Sequence, residues 1–230
     1  MCTKLSEVVI QKPTINVNTA VLFEKALTKW DSSIQNAFKN LNIKVNDEIH
    51  NLSLVNAGID SSIIKYNSEV KLLSQWISES GTNPGKFELL YRGSTDGWSA
   101  ATFHERCDGK GPTVIVIEAT TGERFGGFTS LDWISEDSDE YYLDTNSFLF
   151  SLDLKERLPI KTPAQAIYSS PDYGPCFGTN CDITIGADPQ APLSCYSDTG
   201  VAYKQLSTGK YFTNQQFFTP KEIEIYAISQ

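Results

Sequence analysis

Apolar residues recur along this chain with two different rhythms. Between Pro13 and Pro84 no proline intervenes, and Gly58 is the only glycine before residue 80, so the stretch is permissive for helix. Within it, Leu27, Trp30, Ile34, Ala37 and Leu41 step by 3, 4, 3 and 4. After a slip at Val45, Ile59, Ile63, Tyr66, Val70, Leu73 and Ile77 step by 4, 3, 4, 3 and 4. Such steps keep a residue on one helical face, and a pattern this long favours a coiled coil or paired helices. The spacing predicts a helical, coiled-coil oligomerisation segment over 18–81, capped near Asn18 or Thr19 and stopped at Ser80-Gly81. Its seam is Leu27, Trp30, Ile34, Leu41, Ile59, Ile63, Tyr66, Val70, Leu73 and Ile77. The alternative is a helical hairpin turning near Asn56-Ala57-Gly58. Residues 1–17 form an N-terminal tail.

From residue 86 the rhythm shortens. KFELLYR (86–92), TVIVIEA (113–119), ERFGGFT (123–129), NSFLFSL (146–152), AIYSS (166–170), DITIG (182–186) and EIEIYAI (222–228) are β-branched or aromatic runs between glycine, proline, aspartate and asparagine. EIEIYAI alternates as a strand with one wet face does. DGWSAATFHERCD (96–108) instead reads as a helix with Asp96 as its N-cap, placing Trp98, Phe103 and Cys107 toward one side. Many short strands with few helices predict an α+β domain over 86–230, a β-sandwich flanked by short helices. The segments 171–181 and 187–199 read as ordered loops.

Charge sharpens this division. Residues 1–84 carry 8 basic and 8 acidic side chains; the remainder carries 11 basic and 20 acidic, which accounts for the whole net charge of −9. So acidic a second part disfavours nucleic acid, which leaves Lys25, Lys29, Lys39 and Lys44 as the one local patch for a regulator of transcription. No apolar run reaches membrane-spanning length, so no membrane insertion is expected. The first twenty residues lack the pattern of a signal peptide, and five cysteines at irregular spacing do not suggest a disulfide framework. Both point to an intracellular, cytoplasmic or nuclear protein with reduced thiols.

Reactive chemistry is thinly signalled. There is no nucleophile elbow and no phosphate-binding glycine loop. His104 and Cys107 stand at i and i+3, yet a hydrogen-bonded imidazole beside a buried thiol is the commoner meaning of that pair. With Cys176 and Cys181 they would supply zinc-ligating atoms, but at spacings unlike those of usual zinc sites. The acidic run Glu136, Asp137, Asp139, Glu140 and Asp144 fails the EF-hand frame, leaving Asp137, Asp139 and Glu140 as the residual calcium candidates. No catalytic residue and no cofactor is expected.

One stretch carries a resemblance. Tyr91-Arg92-Gly93-Ser94, Asp96-Gly97, Phe103-His104 with Cys107, Gly111-Pro112-Thr113, Phe125-Gly126-Gly127 and Trp133 follow one another at nearly fixed spacing, and together resemble the opening of the TLDc domain of oxidation-resistance proteins. Downstream, Ser147 to Leu152, then Gly174-Pro175, Phe177-Gly178 and Asp182, then Cys195-Tyr196-Ser197, and finally Glu222 and Glu224 resemble its later segments. Many members carry histidine where Cys181 stands. The resemblance implies a β-sandwich with flanking helices, a protective role in oxidative stress and, for some members, binding to the vacuolar proton-pumping ATPase.

The expected function is therefore a non-enzymatic protein-interaction module of the oxidative-stress response, made a homo-oligomer by its helical segment. The alternative is a redox-responsive thiol protein acting through Cys107, Cys176, Cys181 or Cys195.

Overall fold

The computed structural model describes residues 59–135, 139–179, 182–191 and 194–229. The chain enters through an irregular strap, residues 59–66, followed by helix α1 (Asn67–Glu79). Strand β1 (Lys86–Arg92) leads to two short helices, α2 (Gly93–Asp96) and α3 (Ala100–Cys107). Then come β2 (Thr113–Ala119), β3 (Arg124–Thr129), β4 (Glu140–Tyr142), β5 (Phe148–Ser151), β6 (Glu156–Pro159) and β7 (Ile167–Ser169). The last are β8 (Cys176–Phe177), β9 (Ile183–Thr184), β10 (Cys195–Ser197), β11 (Phe217–Phe218) and β12 (Pro220–Ser229).

Among the described residues these strands form two six-stranded antiparallel sheets. The first runs β1-β12-β2-β3-β5-β6, the second β11-β10-β9-β8-β7-β4. Their facing sides share one core, in which Ile115, Ile117, Ile223 and Ile225 of the first sheet meet Ile167, Phe177 and Ile183 of the second. Trp133 lies within it, edge-on to Phe103 and Phe177, with its indole N–H donating to Thr113 Oγ1 (2.9 Å). The β-sandwich architecture is thus present.

The first sheet has a second covered face. Val114, Val116, Phe148, Phe150, Tyr226 and Ile228 point outward, and there the strap and α1 lay Ile59, Ile63, Ile64, Val70, Leu73, Trp76 and Ile77 on them. This explains why β2 is apolar without alternation: every residue of TVIVIEA is buried. It also corrects the expectation that Ile59, Ile63, Tyr66, Val70, Leu73 and Ile77 form an oligomer seam. Residues 59–66 are not helical, Tyr66 stands 59% exposed just ahead of α1, and the other five bury against the domain's own sheet. Spacing of 3 and 4 reveals that a helix has an apolar face; it does not say what covers that face. The helix ends as its sequence indicates, with Ser80 as C-cap and Gly81 at φ +92°. The remaining seam positions, Leu27, Trp30, Ile34 and Leu41, and the hairpin turn near Gly58 lie outside the described residues.

Two further corrections are local. The helix expected over 96–108 starts later, as α3, and Ser99 caps it by accepting from the Thr102 N–H (3.1 Å). Asp96 closes the turn before it, its carboxylate accepting from the Arg92 N–H (2.8 Å) and pairing with Arg106 (3.0 Å). The face of β12 read as wet is also buried. Glu222 and Glu224 lie beneath the strap and α2 rather than in solvent.

Candidate functional site

The most heavily bonded charged group on the outer face of the first sheet is Glu224, which is 0% exposed. Strand periodicity places it beside Glu222 and Tyr226, while the alternate residues Ile223 and Ile225 enter the core between the sheets. Its carboxylate accepts from Ser61 Oγ (2.5 Å), Ser62 N–H (2.8 Å), Ser62 Oγ (2.9 Å), Arg92 Nε (3.0 Å) and Tyr226 OH (2.7 Å). Arg92 reaches on to Asp60 (3.3 Å). Burial works against the Arg92 charge, but the Glu224 and Asp60 carboxylates together outweigh it, so the guanidinium's pKa is raised. Burial pushes the Tyr226 phenol up, and the neighbouring carboxylate adds to the shift. A buried carboxylate is tolerable only when its lone pairs are filled, and here donors from the distant strap and β1 join Tyr226 of its own strand in filling them.

Glu222 makes a smaller version of the same joint. It accepts from the Ser94 N–H (3.0 Å), the Ile223 N–H (3.0 Å) and the Ser94 hydroxyl. A carboxylate can act as base toward a serine, yet this one is already committed to the main-chain N–H of the same residue. The geometry is that of an anion closing the start of α2.

The other signature positions are placed as follows. Asp182, also 0% exposed, accepts from the N–H groups of Gly200 (3.0 Å), Val201 (3.1 Å), Ala202 (2.9 Å) and Tyr203 (3.4 Å). Burial pushes its carboxyl up while the four N–H donors pull it back. Gly178 makes this possible: its φ is +84°, and a Cβ there would lie 2.2 Å from the Asp182 carboxylate. Phe177, next to it, is core. Gly126 has no room for a side chain, since a Cβ would fall 1.9 Å from the Ile115 carbonyl oxygen across the β2–β3 ladder. Gly127 lies under the Phe177 ring and Gly93 under the Trp98 ring. The Gly111 N–H donates to Asp132 (2.8 Å), and the Pro112 carbonyl accepts from the Ile228 N–H (2.9 Å).

His104 and Cys107 share a helix face but do not pair. The His104 Nε2 lies 3.0 Å from the carbonyls of Ser170 and Tyr173, and Nδ1 faces Asp108 (2.8 Å), so the ring ties α3 to the 170–173 loop. Burial pushes the Cys107 thiol up, and burial pushes Cys195 up to about 12, which leaves neither with thiolate character near neutrality. Cys176 is buried as well. Cys181 and the calcium candidate Asp137 lie outside the described residues, and Asp139 and Glu140 are exposed, the first ahead of β4 and the second at its start. Among the described residues no group of three or more His, Cys, Asp or Glu is arranged to hold a metal. The lysines 25, 29, 39 and 44 also lie outside them.

Sequence reasoning missed the Glu224 partners Ser61, Ser62 and Tyr226, and Asp60, which meets Arg92 and Tyr226 beside them. The one available signal was the pair of glutamates alternating with isoleucines in EIEIY, a pattern equally natural for a solvated face. No described helix is long and apolar enough to cross a membrane.

With this geometry in place, the comparison with protein families is specific. The family model described as TLDc domain matches residues 58–229, a span that takes in the strap, α1, both sheets and every signature position above. No curated relative matches the chain.

Proposed function

Because the chain belongs to the TLDc domain family, which its residues 58–229 match, we propose that it is a non-enzymatic protein-interaction module of the oxidative-stress response. One observation carries this reading. The signature's polar side chains are spent inside the fold: Glu224, Glu222 and Asp182 are filled by the protein's own donors. Groups so occupied hold a surface in shape; they are poorly placed to meet a substrate. The partner is the vacuolar proton-pumping ATPase, the target the family resemblance names, and copies of the chain assemble through residues ahead of Ile59.

The test mixes the full chain with the purified cytosolic sector of that ATPase and follows co-elution. Alongside it, cells lacking the chain are challenged with peroxide. Binding together with peroxide sensitivity that the full chain restores is the expected result. Absence of both overturns the reading. Sedimentation at micromolar concentration checks assembly separately, and the mass of a single chain removes the oligomer.

The thiol-based alternative is weakened by the burial of Cys107, Cys176 and Cys195.

A further inference from the structure

Strand β11 is an edge of the second sheet among the described residues, and its hydrogen-bond parity can be read directly. Cys195 stands opposite Phe218 and Tyr196 opposite Phe217. The Ser197 N–H donates to the Gln216 carbonyl (2.9 Å), which makes that pair a bonded one. Bonded and unbonded pairs alternate along an antiparallel ladder, so Phe218 is bonded to β10 and Phe217 is not. The far side of β10 agrees: the Asp198 N–H donates to the Asp182 carbonyl (3.2 Å), so Tyr196 directs its amide and carbonyl toward β9. The N–H and C=O of Phe217 consequently point out from the sheet edge.

They open onto a cavity of about 420 Å³ between β11, the 213–215 loop and the β2–β3 turn. The next outward-facing residues on either side are already engaged. The Gln215 carbonyl accepts from Thr213 Oγ1 (2.7 Å), and the Thr219 carbonyl accepts from the Thr120 N–H (2.9 Å). Phe217 therefore forms a single notch of main-chain hydrogen-bonding capacity between two closed positions. Threonine, asparagine and glutamine side chains line the rest of the cavity without a charge, and the Phe217 ring, 39% exposed, stands at its rim.

We infer that this cavity binds an extended, uncharged peptide segment of a partner, which adds a short antiparallel strand to β11 through the outward N–H and C=O of Phe217. A donor and an acceptor on the same residue of a sheet edge are what an antiparallel strand backbone matches, and main-chain pairing of this kind tolerates many sequences. Uncharged lining selects against phosphorylated or strongly basic segments, whose desolvation nothing here would offset. The inference rests on the interaction-module reading above and gives it a site.

The experiment titrates the isotopically labelled full chain with a blocked pentapeptide of alternating threonine and valine and follows backbone amide resonances. Saturable shifts centred on Phe217, Thr219, Thr120 and Thr121 are expected. Phe217→Pro removes the outward donor and the ring that meets Tyr196 while leaving the bonded Phe218–Cys195 pair in place; it should weaken binding roughly fivefold or more, with the chain still folded by its amide spectrum. Methylating the central amide nitrogen of the peptide should do the same with no change to the protein. Shifts centred elsewhere, no saturable shifts, or indifference to both substitutions overturn the inference. The ATPase co-elution repeated with Phe217→Pro separates the two readings: binding retained with no peptide effect leaves the module reading standing and this site refuted.

Discussion

Asp182 and Glu224 are both fully buried carboxylates of the family signature, and they are satisfied in opposite ways. Asp182 takes four consecutive main-chain N–H groups from 200–203. Glu224 takes hydroxyls, a phenol and a guanidinium from the strap, β1 and β12, with a single main-chain N–H among its donors. The first shapes one loop and cannot be dismantled donor by donor through mutation. The second joins segments more than 130 residues apart in sequence, and each donor can be removed singly. One is a local fold-forming device; the other rivets the strap to β1 and β12, beside Arg124, which holds the same strap at the Ile63 carbonyl and α1 at Glu69.

The largest test of this contrast is a chain shortened to residues 85–230. It keeps Asp182 and its loop but loses the strap and α1, leaving Val114, Val116, Phe148 and Phe150 bare. Calorimetry of that fragment should give no cooperative unfolding transition; a sharp transition near that of the full chain would make the outer core dispensable.

Asp182→Ala comes next, stranding four N–H groups, of which those of Ala202 and Tyr203 are buried, at a cost of about 4 kcal/mol in urea unfolding. Glu224→Ala should cost about 3 kcal/mol, because it leaves Arg92 without its buried partner. The sharper readout is coupling. Glu224→Ala should cost clearly less when Ser61 and Ser62 are already alanine, since the donors it strands are then gone. Strict additivity would separate the strap from the carboxylate. Ser62→Ala alone should remove about 1 kcal/mol.

The effect of pH is absent at neutrality and grows only in alkali. Cys195 is raised to about 12 from an ordinary value near 9. Between those values the unfolded chain has released the thiol proton and the native one retains it, so the native state binds more protons and stability falls as pH rises. Denaturation series from pH 8 to 12 should show a decline beginning near 9, to which the buried tyrosines Tyr91, Tyr203 and Tyr226 contribute in the same direction. Thiol alkylation at pH 8 should track unfolding; rapid modification of Cys195 in the native protein would contradict its burial.

Strands were the readable part of this sequence. KFELLYR and TVIVIEA match β1 and β2 end to end, because local β propensity and flanking turn residues both acted there. The outer core was hidden for a physical reason. An apolar helical face at 67–79 and an unalternating strand at 113–119 each advertise a need for cover, but pairing them is a tertiary event with no local trace. The same holds for Glu224, whose meaning depends on Ser61 and Ser62 some 160 positions earlier. Gly126 stood in the sequence as part of the family signature, and the structure gives the reason for a glycine there in the Ile115 carbonyl across the ladder. Asp96 misled because two possible N-caps, Asp96 and Ser99, sit within one turn, and the later one took the role.

The Asp182 joint has one further implication. All four of its donors are peptide amides of residues 200–203. The grip is therefore indifferent to the side chain of Val201, the exposed residue of the four, and that position can be relettered for a new neighbour while the hinge pin underneath stays in place; Gly200 is held by its φ of +106°, and Ala202 and Tyr203 by the core.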